Sequence, residues 1–253
     1  DLWIDEEEVK NLRQALQGEL PQRQFGSAVR LVRIAIEYST PVILLSDGYL
    51  ANGSEPWKIP DESSLPEIHK PFADPSKPYV TFARDPETLA RTQAIPGQVG
   101  LQHRIGGLEK DTKGSISYDS YNHSEMTRLR AAKVEAVAKS LPPLSITGAR
   151  TGKLLVLGWG GTHGAITSAV ESLVAEGFEV SSTNLRYLNP MPPDLGDLIK
   201  GFDQVLIPEL NSGQLCMLIR ARFLIDAVSL TKIKGRPFKV SEIRERILQL
   251  LNH

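Results

Sequence analysis

Near the start of the sequence, apolar residues recur with the spacing of amphipathic helices and then run together as a short strand. Residues 5–17 and 26–38 each place apolar side chains on one helical face, which predicts two helices. The second leads into the continuous apolar run PVILLS at 41–46. Such a run directly after a helix predicts a strand buried on both faces of a parallel sheet. This part of the sequence therefore predicts the end of an α/β domain.

The C-terminal part of the sequence alternates apolar strands with helical patterns. Alternation at this spacing predicts a parallel sheet with helices in its crossovers, and so a second α/β domain. The predicted strands are 153–158, 178–183 and 203–207, and the predicted helices are 163–176, 194–200, 213–228 and 241–251.

Eight prolines lie between Pro56 and Pro96. Because proline has no backbone N–H and interrupts regular helices, this stretch predicts an ordered loop or linker that wraps over a surface. Its aromatic residues favour a segment that packs against something. We therefore expect it to contact another subunit.

A hairpin and a helix are predicted between the proline-rich stretch and the second domain. Residues 99–118 predict a hairpin that turns through EKDTKG, and Asn122 opens a helix that continues to Ser140. The chain thus divides into a first domain, a region of wrap, hairpin and linker helix, and a second domain, with the boundaries 1–61, 62–150 and 151–253.

Composition excludes several classes of function. The 29 basic and 30 acidic residues give a net charge of −1, which does not favour binding to nucleic acid or to an anionic membrane surface. No apolar run is long enough to span a bilayer, and we expect a cytoplasmic protein. The single cysteine, Cys216, excludes an internal disulfide and an iron–sulfur cluster held by this chain, since such a cluster needs about four thiolates.

A glycine cluster follows the strand in LLVLGWGGTHGAITSAV, residues 154–170. Gly158 and Gly160 match the start of a dinucleotide fingerprint, but His163 replaces the third glycine and no acid follows the next strand. Two interpretations remain open. The backbone N–H groups from Gly160 and Gly161 onward could hold an anion or the carbonyls of a partner, or the glycines could only allow tight strand-to-helix packing.

A second cluster, PELNSGQL at 208–215, lies at the end of another predicted strand. Glu209 and Asn211 would lie at the same sheet edge as the glycine cluster, where open α/β sheets bind ligands. The alternative is that Asn211 or Ser212 only caps the next helix and that Glu209 is solvated.

Hydrolase and metal chemistry find little support in the sequence. No G-x-S-x-G motif is present, and the five histidines lack the spacing of metal ligands. We therefore predict no metal site. An NAD-binding enzyme built on the glycine cluster stays open as one alternative.

Five ordered blocks nevertheless resemble the alpha subunit of 2-oxoacid:ferredoxin oxidoreductases, most closely the 2-oxoglutarate (KorA-type) branch. The blocks keep their order from residue 25 to about residue 248. They are TPVILLSDGYLANGSEPWKIPD (40–61), HRIGGLEKDTKGSISYDSYNHSEMTRLRAAKV (103–134), LGWGGTHGAITSAV (157–170), LNPMPP (188–193) and PELNSGQL (208–215).

The resemblance implies an enzyme that decarboxylates a 2-oxoacid oxidatively, forms acyl-coenzyme A and passes electrons to ferredoxin. The fold implied is the end of a thiamine-diphosphate-type pyrimidine domain followed by a transketolase-C-terminal-like α/β domain with a parallel sheet. In such a complex a beta subunit binds thiamine diphosphate, magnesium and a 4Fe-4S cluster, and the assembly is a dimer of heterodimers. No cofactor is expected on this chain alone, and coenzyme A is a substrate of the complex.

The resemblance assigns no catalytic residue to this chain. It implies only that two loops lie near the subunit interface or the coenzyme A site, namely those with Gly158, Gly160, Gly161, Glu209, Asn211 and Gln214. Alternatives are a pyruvate or branched 2-oxoacid substrate, and an interaction module related to the subunit by descent.

Overall fold

The computed structural model describes residues 20–48, 63, 68 and 72–252. The predicted helix at 5–17 lies outside these residues. The described chain forms two compact units, a front unit with residues 22–44 and 72–141 and a sheet unit with residues 45–48 and 142–252. Within the described ranges, no helix has the length and apolar character needed to cross a membrane.

Two long helices frame the front unit. Helix α1 spans Leu20–Glu37, and α2 spans Ser120–Val137 and continues as a 3-10 turn over Ala138–Ser140. Residues 72–119 contain turns and isolated bridges in place of helices and extended strands. The proline-rich part of this stretch is therefore irregular, as its lack of backbone donors predicts.

The predicted strand at 41–46 is wrong. These residues have no strand partner, and Ile43, Leu44 and Leu45 are 81%, 55% and 64% exposed. A buried parallel strand needs neighbouring strands for its backbone N–H and C=O groups, and none of the described residues pairs with this run.

The predicted hairpin is present only around its turn. Gly114 N–H donates to Asp111 C=O at 3.1 Å, and Ser117 N–H donates to Glu109 C=O at 3.1 Å. Residues 99–106 stay outside any ladder. The hairpin is therefore much shorter than the prediction of 99–118.

Helix α2 begins two residues earlier than predicted. The Asp119 carboxylate accepts the backbone N–H of Asn122 at 2.8 Å, so Asp119 is the N-cap in place of Asn122. The helix ends as predicted, because Pro142 and Pro143 follow its last 3-10 turn.

The sheet unit is built around a mostly parallel sheet, which confirms the predicted α/β class. Among the described residues its strand order is β1-β3-β2-β4-β5; β1 pairs antiparallel with β3, and the other pairs are parallel. The strands are β1 Ile146–Thr147, β2 Gly152–Trp159, β3 Val180–Leu185, β4 Phe202–Glu209 and β5 Val228–Thr231, and the helices are α3 His163–Ala175, α4 Leu195–Lys200, α5 Gln214–Phe223 and α6 Val240–Leu251.

Helices cover both faces of this sheet because alternate residues of the central strands point in opposite directions. On one face, Leu154 and Val156 pack with α3 and α6. On the other face, Leu155 and Leu157 pack with α4 and α5. All four of these β2 side chains are at most 1% exposed, so β2 is the centre of the core.

One predicted helix of the sheet unit also has the wrong extent. The helix predicted over 213–228 ends at Phe223, where Leu224 adopts a left-handed conformation with φ 54° and donates its N–H to Arg220 C=O. Residues 228–231 then form β5 beside β4. The helical pattern in the sequence continues to residue 228. In the structure, residues 228–231 instead form hydrogen bonds with β4 as a strand.

An ion pair beside α6 links a carboxylate of the sheet unit to the lysine that follows β5. Lys232 Nζ donates to Glu242 Oε2 at 2.6 Å, and Lys239 N–H donates to the same oxygen at 2.8 Å. Although burial acts against it, these hydrogen bonds lower the pKa of the Glu242 carboxyl. A carboxylate of lowered pKa stabilises the fold above its unfolded-state pKa, and that contribution is lost as the pH falls through its folded-state pKa.

We therefore expect the free energy of unfolding to decrease as the pH falls below 4.5, the ordinary value for Glu242. The decrease should be smaller in Lys232→Met, because removal of the ammonium brings the folded pKa closer to the unfolded one. Urea unfolding of both proteins over a pH series measures the difference. Parallel curves for the two proteins would contradict this expectation.

Candidate functional site

The loops that follow β2 and β4 lie side by side at one edge of the sheet. The two strands are parallel neighbours, and the helices that follow them, α3 and α5, pack on opposite faces. A parallel sheet whose chain leaves adjacent strands toward opposite faces forms a crevice at that point, where α/β proteins commonly bind ligands. The two sequence clusters therefore meet at a topological switch point.

A side-chain hydrogen bond bridges this crevice. Trp159, the last residue of β2, donates its indole Nε1–H to Glu209 Oε1 at 3.2 Å, and Glu209 is the last residue of β4. The two loops are thus joined by the protein itself. Trp159 was not among the predicted site residues, although its position between Gly158 and Gly160 places it in the glycine cluster.

Glu209 is fully buried, with 0% exposure, and its carboxylate caps the N-terminus of helix α5. Its Oε1 accepts the backbone N–H of Leu215 at 2.9 Å and Asn211 Nδ2 at 3.1 Å, and its Oε2 accepts the N–H of Cys216 at 3.0 Å. The predicted alternative of a solvated Glu209 is therefore wrong. The carboxylate compensates the positive end of the α5 dipole from inside the protein.

Asn211 completes the start of the same helix. Its Oδ1 accepts the N–H groups of Gly213 at 2.7 Å and Gln214 at 3.2 Å. Asn211 therefore has the capping role that was one of its two interpretations. Since Asn211 and Glu209 occupy the first N–H groups of α5, an external anion would have to displace internal acceptors to bind there.

The glycine loop is shaped by close packing at its first glycine. A Cβ on Gly158 would lie 2.5 Å from Ile166 Cδ1 and 3.2 Å from Thr162 Oγ1. Gly160 has open space around it, and its left-handed φ of 57° is the reason for glycine there. Gly158 thus supports the packing interpretation, and Gly160 the need for a tight turn.

The hydroxyl of Thr162 holds the loop in this conformation. It donates to Trp159 C=O at 2.8 Å and accepts Trp159 N–H at 3.3 Å. A Cβ on Gly161 would lie 2.5 Å from Asp47 Oδ2, which brings the first residues of the sheet unit close to the loop. The loop is therefore ordered by the chain's own contacts.

An unpaired amide oxygen lies beside the glycine loop. Asn184 of β3 is the register partner of Gly158, and its Oδ1 is buried without a hydrogen-bond partner among the described residues. Buried polar atoms in folded proteins are normally paired. The sequence shows only that no acid follows this strand, and it gives no signal for a buried amide at this edge.

The predicted residues thus share one edge but differ in accessibility. Gly158 and Glu209 are buried and shape the edge, whereas Gly160, Gly161 and Gln214 are exposed to solvent. Only the exposed group can contact a partner or ligand directly. Their role at a subunit interface or coenzyme A site stays a prediction.

The thiol of Cys216 is enclosed by the same helix start. Its Sγ donates to Ala227 C=O at 3.5 Å, and burial raises the pKa of the thiol. In addition, no group of three potential metal ligands of the His, Cys, Asp and Glu types occurs among the described residues. The thiol is therefore packed inside the sheet unit and hydrogen-bonded to the backbone.

We expect Cys216 to react at pH 8 with a disulfide reagent about 100-fold more slowly in the folded protein than in guanidinium chloride, since only the thiolate is nucleophilic. Stopped-flow absorbance of the released chromophore gives both rates. Equal rates would show that the sulfur is open to solvent.

Comparison with known proteins supports the resemblance found in the sequence. A family model described as pyruvate flavodoxin/ferredoxin oxidoreductase, thiamine diphosphate-binding, matches residues 15–121. The chain is 48% identical over 227 residues to 2-oxoglutarate oxidoreductase subunit KorA of Mycobacterium tuberculosis, covering 88% of this chain and 34% of that relative. Over most of its length the chain is therefore similar to the alpha subunits of 2-oxoacid:ferredoxin oxidoreductases. The predicted thiamine-diphosphate-type domain is thereby confirmed.

Further relatives of this oxidoreductase family give the same result. The alpha subunit of 2-oxoacid:ferredoxin oxidoreductase 2 of Aeropyrum pernix is 29% identical over 245 residues, which cover 89% of this chain and 36% of the relative. The structure of 2-oxoglutarate:ferredoxin oxidoreductase from Magnetococcus marinus, with 2-oxoglutarate, coenzyme A and succinyl-CoA bound, matches with a TM-score of 0.81 at 29% identity. It covers 87% of this chain and 39% of that one. The chain thus spans little more than a third of these relatives.

Proposed function

We propose that this chain is part of the alpha subunit of a 2-oxoglutarate:ferredoxin oxidoreductase. The reaction would convert a 2-oxoacid and coenzyme A to acyl-coenzyme A and carbon dioxide, and two electrons would reduce ferredoxin. The observation that carries the proposal is the 48% identity to a KorA subunit, together with a shared fold at a TM-score of 0.81. The relatives named for 2-oxoglutarate favour that substrate over pyruvate or branched 2-oxoacids.

We propose that a partner subunit holds the cofactors of this reaction. Thiamine diphosphate would supply the electron sink for decarboxylation. The sequence has a single cysteine, which is buried, whereas an iron–sulfur cluster needs about four. We therefore propose a beta subunit that binds thiamine diphosphate, magnesium and a 4Fe-4S cluster, in a dimer of heterodimers.

The carboxyl edge of the sheet is the candidate contact surface of this chain. Exposed Gly160 and Gly161 offer small side-chain-free surface, and Gln214 offers an exposed amide. The Trp159–Glu209 hydrogen bond would hold these groups at fixed positions. We propose that this edge faces the beta subunit or coenzyme A, which is supported by its place at the switch point of the sheet.

The substrate is tested on the complex purified through an affinity tag on this chain. Reduction of methyl viologen is followed at equal concentrations of 2-oxoglutarate, pyruvate and a branched 2-oxoacid, each with and without coenzyme A. We expect 2-oxoglutarate to give the highest kcat/KM, and the rate to require coenzyme A. A higher kcat/KM for pyruvate would reassign the substrate.

A further inference from the structure

A second group of side chains, remote in sequence from the sheet edge, brings three positive charges together in the front unit. Arg84 and Arg91 face each other across an isolated antiparallel bridge. Directly opposed like charges destabilise an antiparallel pair. Lys133, on helix α2, adds a third positive charge, and it lies close enough to both arginines for their charges to act on it. We call Arg84, Arg91 and Lys133 the cationic cluster.

The end of helix α1 ties the cluster together. Lys133 Nζ donates to Ser39 C=O at 2.8 Å, and Ser39 Oγ donates to Arg91 C=O at 3.5 Å. Gln93, two residues after Arg91, donates its Nε2–H to Ser39 Oγ at 3.0 Å. The three cations are therefore held by the backbone of two segments and by α2, and their proximity is built into the fold of the front unit.

The acids near the cluster are already engaged elsewhere. Asp85, next to Arg84 in the sequence, accepts Thr88 N–H at 2.7 Å and Thr88 Oγ1–H at 2.9 Å within its own turn. Glu109 pairs with Arg130 at 2.9 Å. Within the described ranges, no ion pair reaches the cationic cluster itself. Its three positive charges are thus left without a protein counter-charge in the part of the chain that the structure describes.

The cluster also has donors that no protein group uses. Arg84 donates from Nη1 to Leu89 C=O at 3.0 Å, yet its Nε is buried without a partner among the described residues. Arg91 has its guanidinium carbon 5.2 Å from the centre of the Phe82 ring, with no hydrogen bond from its side chain among the described contacts. A buried N–H without an acceptor is costly, so an acceptor at this position would stabilise the fold.

Burial and the neighbouring positive charges act in the same direction on the pKa values of Arg84 and Lys133. Burial and the positive charges of Arg130 and Arg91 lower the pKa of Arg84. Burial and the charges of Arg84 and Arg91 lower the pKa of Lys133. A bound anion would oppose the contribution of the neighbouring charges at both groups.

We propose that the cationic cluster binds the phosphate group of a small molecule. A carboxylate carries one negative charge and two oxygens, whereas a phosphate or diphosphate carries more charge and more acceptor oxygens. The three cations, with unused donors on Arg84 and Arg91, match the charge and the acceptor oxygens of a phosphate or diphosphate. The three side chains are each partly exposed, so a small ligand can reach them. This site does not depend on the proposed function, because binding needs neither a partner subunit nor turnover.

The test uses inorganic pyrophosphate as the probe with the purified chain. Calorimetric titration at low ionic strength should show saturable binding to the wild type. Arg91→Gln should weaken the affinity about tenfold, since one charge-assisted contact is worth about 1.4 kcal/mol or more. Arg30→Gln is the matched control, because it removes the same charge from an exposed position on α1 of the same unit and should leave the affinity unchanged.

Thermal unfolding gives a second readout that a purely structural role would not reproduce. In phosphate-free buffer, Arg91→Gln should unfold at the same or a higher temperature than the wild type, because it relieves repulsion. Pyrophosphate should raise the unfolding temperature of the wild type and of Arg30→Gln, and raise that of Arg91→Gln much less.

Three results would overturn the proposal. They are absence of pyrophosphate binding by the wild type, equal weakening in Arg91→Gln and Arg30→Gln, and tighter binding of citrate than of pyrophosphate. The last result would assign the cluster to carboxylates. If circular dichroism shows that Arg91→Gln is unfolded, Lys133→Gln replaces it in the same comparison, with the same expected tenfold weakening.

Discussion

Glu209→Ala is expected to lower the free energy of unfolding of the sheet unit by about 4 kcal/mol. The substitution removes an acceptor that serves the partly buried side chains of Trp159 and Asn211 and the buried N–H groups of Leu215 and Cys216. The two backbone donors would then be buried without partners, and α5 would lose the negative charge at its N-terminus. Urea unfolding followed by circular dichroism measures the change.

Glu209→Gln is the matched control for shape. The amide keeps the volume and one acceptor oxygen, so we expect a smaller loss, about 2 kcal/mol. If both variants unfold within about 0.5 kcal/mol of the wild type, the carboxylate does not hold the two loops together. The bridge would then have no role in shaping the sheet edge.

Gly158→Val is expected to cost about 3 kcal/mol through steric overlap in the glycine loop. Its Cβ would lie 2.5 Å from Ile166 Cδ1, 3.2 Å from Thr162 Oγ1 and 3.3 Å from Asn184 Oδ1. Ile166 is 2% exposed, so it cannot move away without disturbing the core. Thermal and urea unfolding of the purified chain measure the loss.

Gly160→Ala provides the comparison within the same loop. No atom lies within 4 Å of its added Cβ, and the only expected cost is about 1 kcal/mol from the left-handed φ of 57°. A Gly158 variant as stable as the Gly160 variant would contradict tight packing of strand to helix. The loop would then need another explanation for its glycines.

The central elements of the sheet unit could be predicted because the spacing of their apolar residues in the sequence shows which side chains are buried. The strand at 153–158 and the helix at 163–176 match β2 and α3 within a residue or two, since β2 is buried on both faces and α3 on one. The sharing of one edge by Gly158 and Glu209 followed from parallel topology alone.

Features that depend on distant partners could not be predicted in the same way. The apolar run at 41–46 has the sequence of a strand but lacks a neighbouring strand among the described residues. Residues 224–231 leave the predicted helix because β4 offers a pairing edge. The hydrogen bond between Glu209 and Trp159 joins residues fifty positions apart. Such long-range contacts leave no periodic pattern in the sequence.

The most direct test of the proposed function is capture of the native complex through a tag on this chain, with subunit masses and the visible absorption spectrum recorded. We expect a cysteine-rich partner, a broad iron–sulfur absorption, and bleaching of that absorption on addition of 2-oxoglutarate with coenzyme A. Omission of thiamine diphosphate from a cofactor-depleted sample should abolish the bleaching. A colourless chain that is captured without such a partner would contradict the account and favour an interaction module.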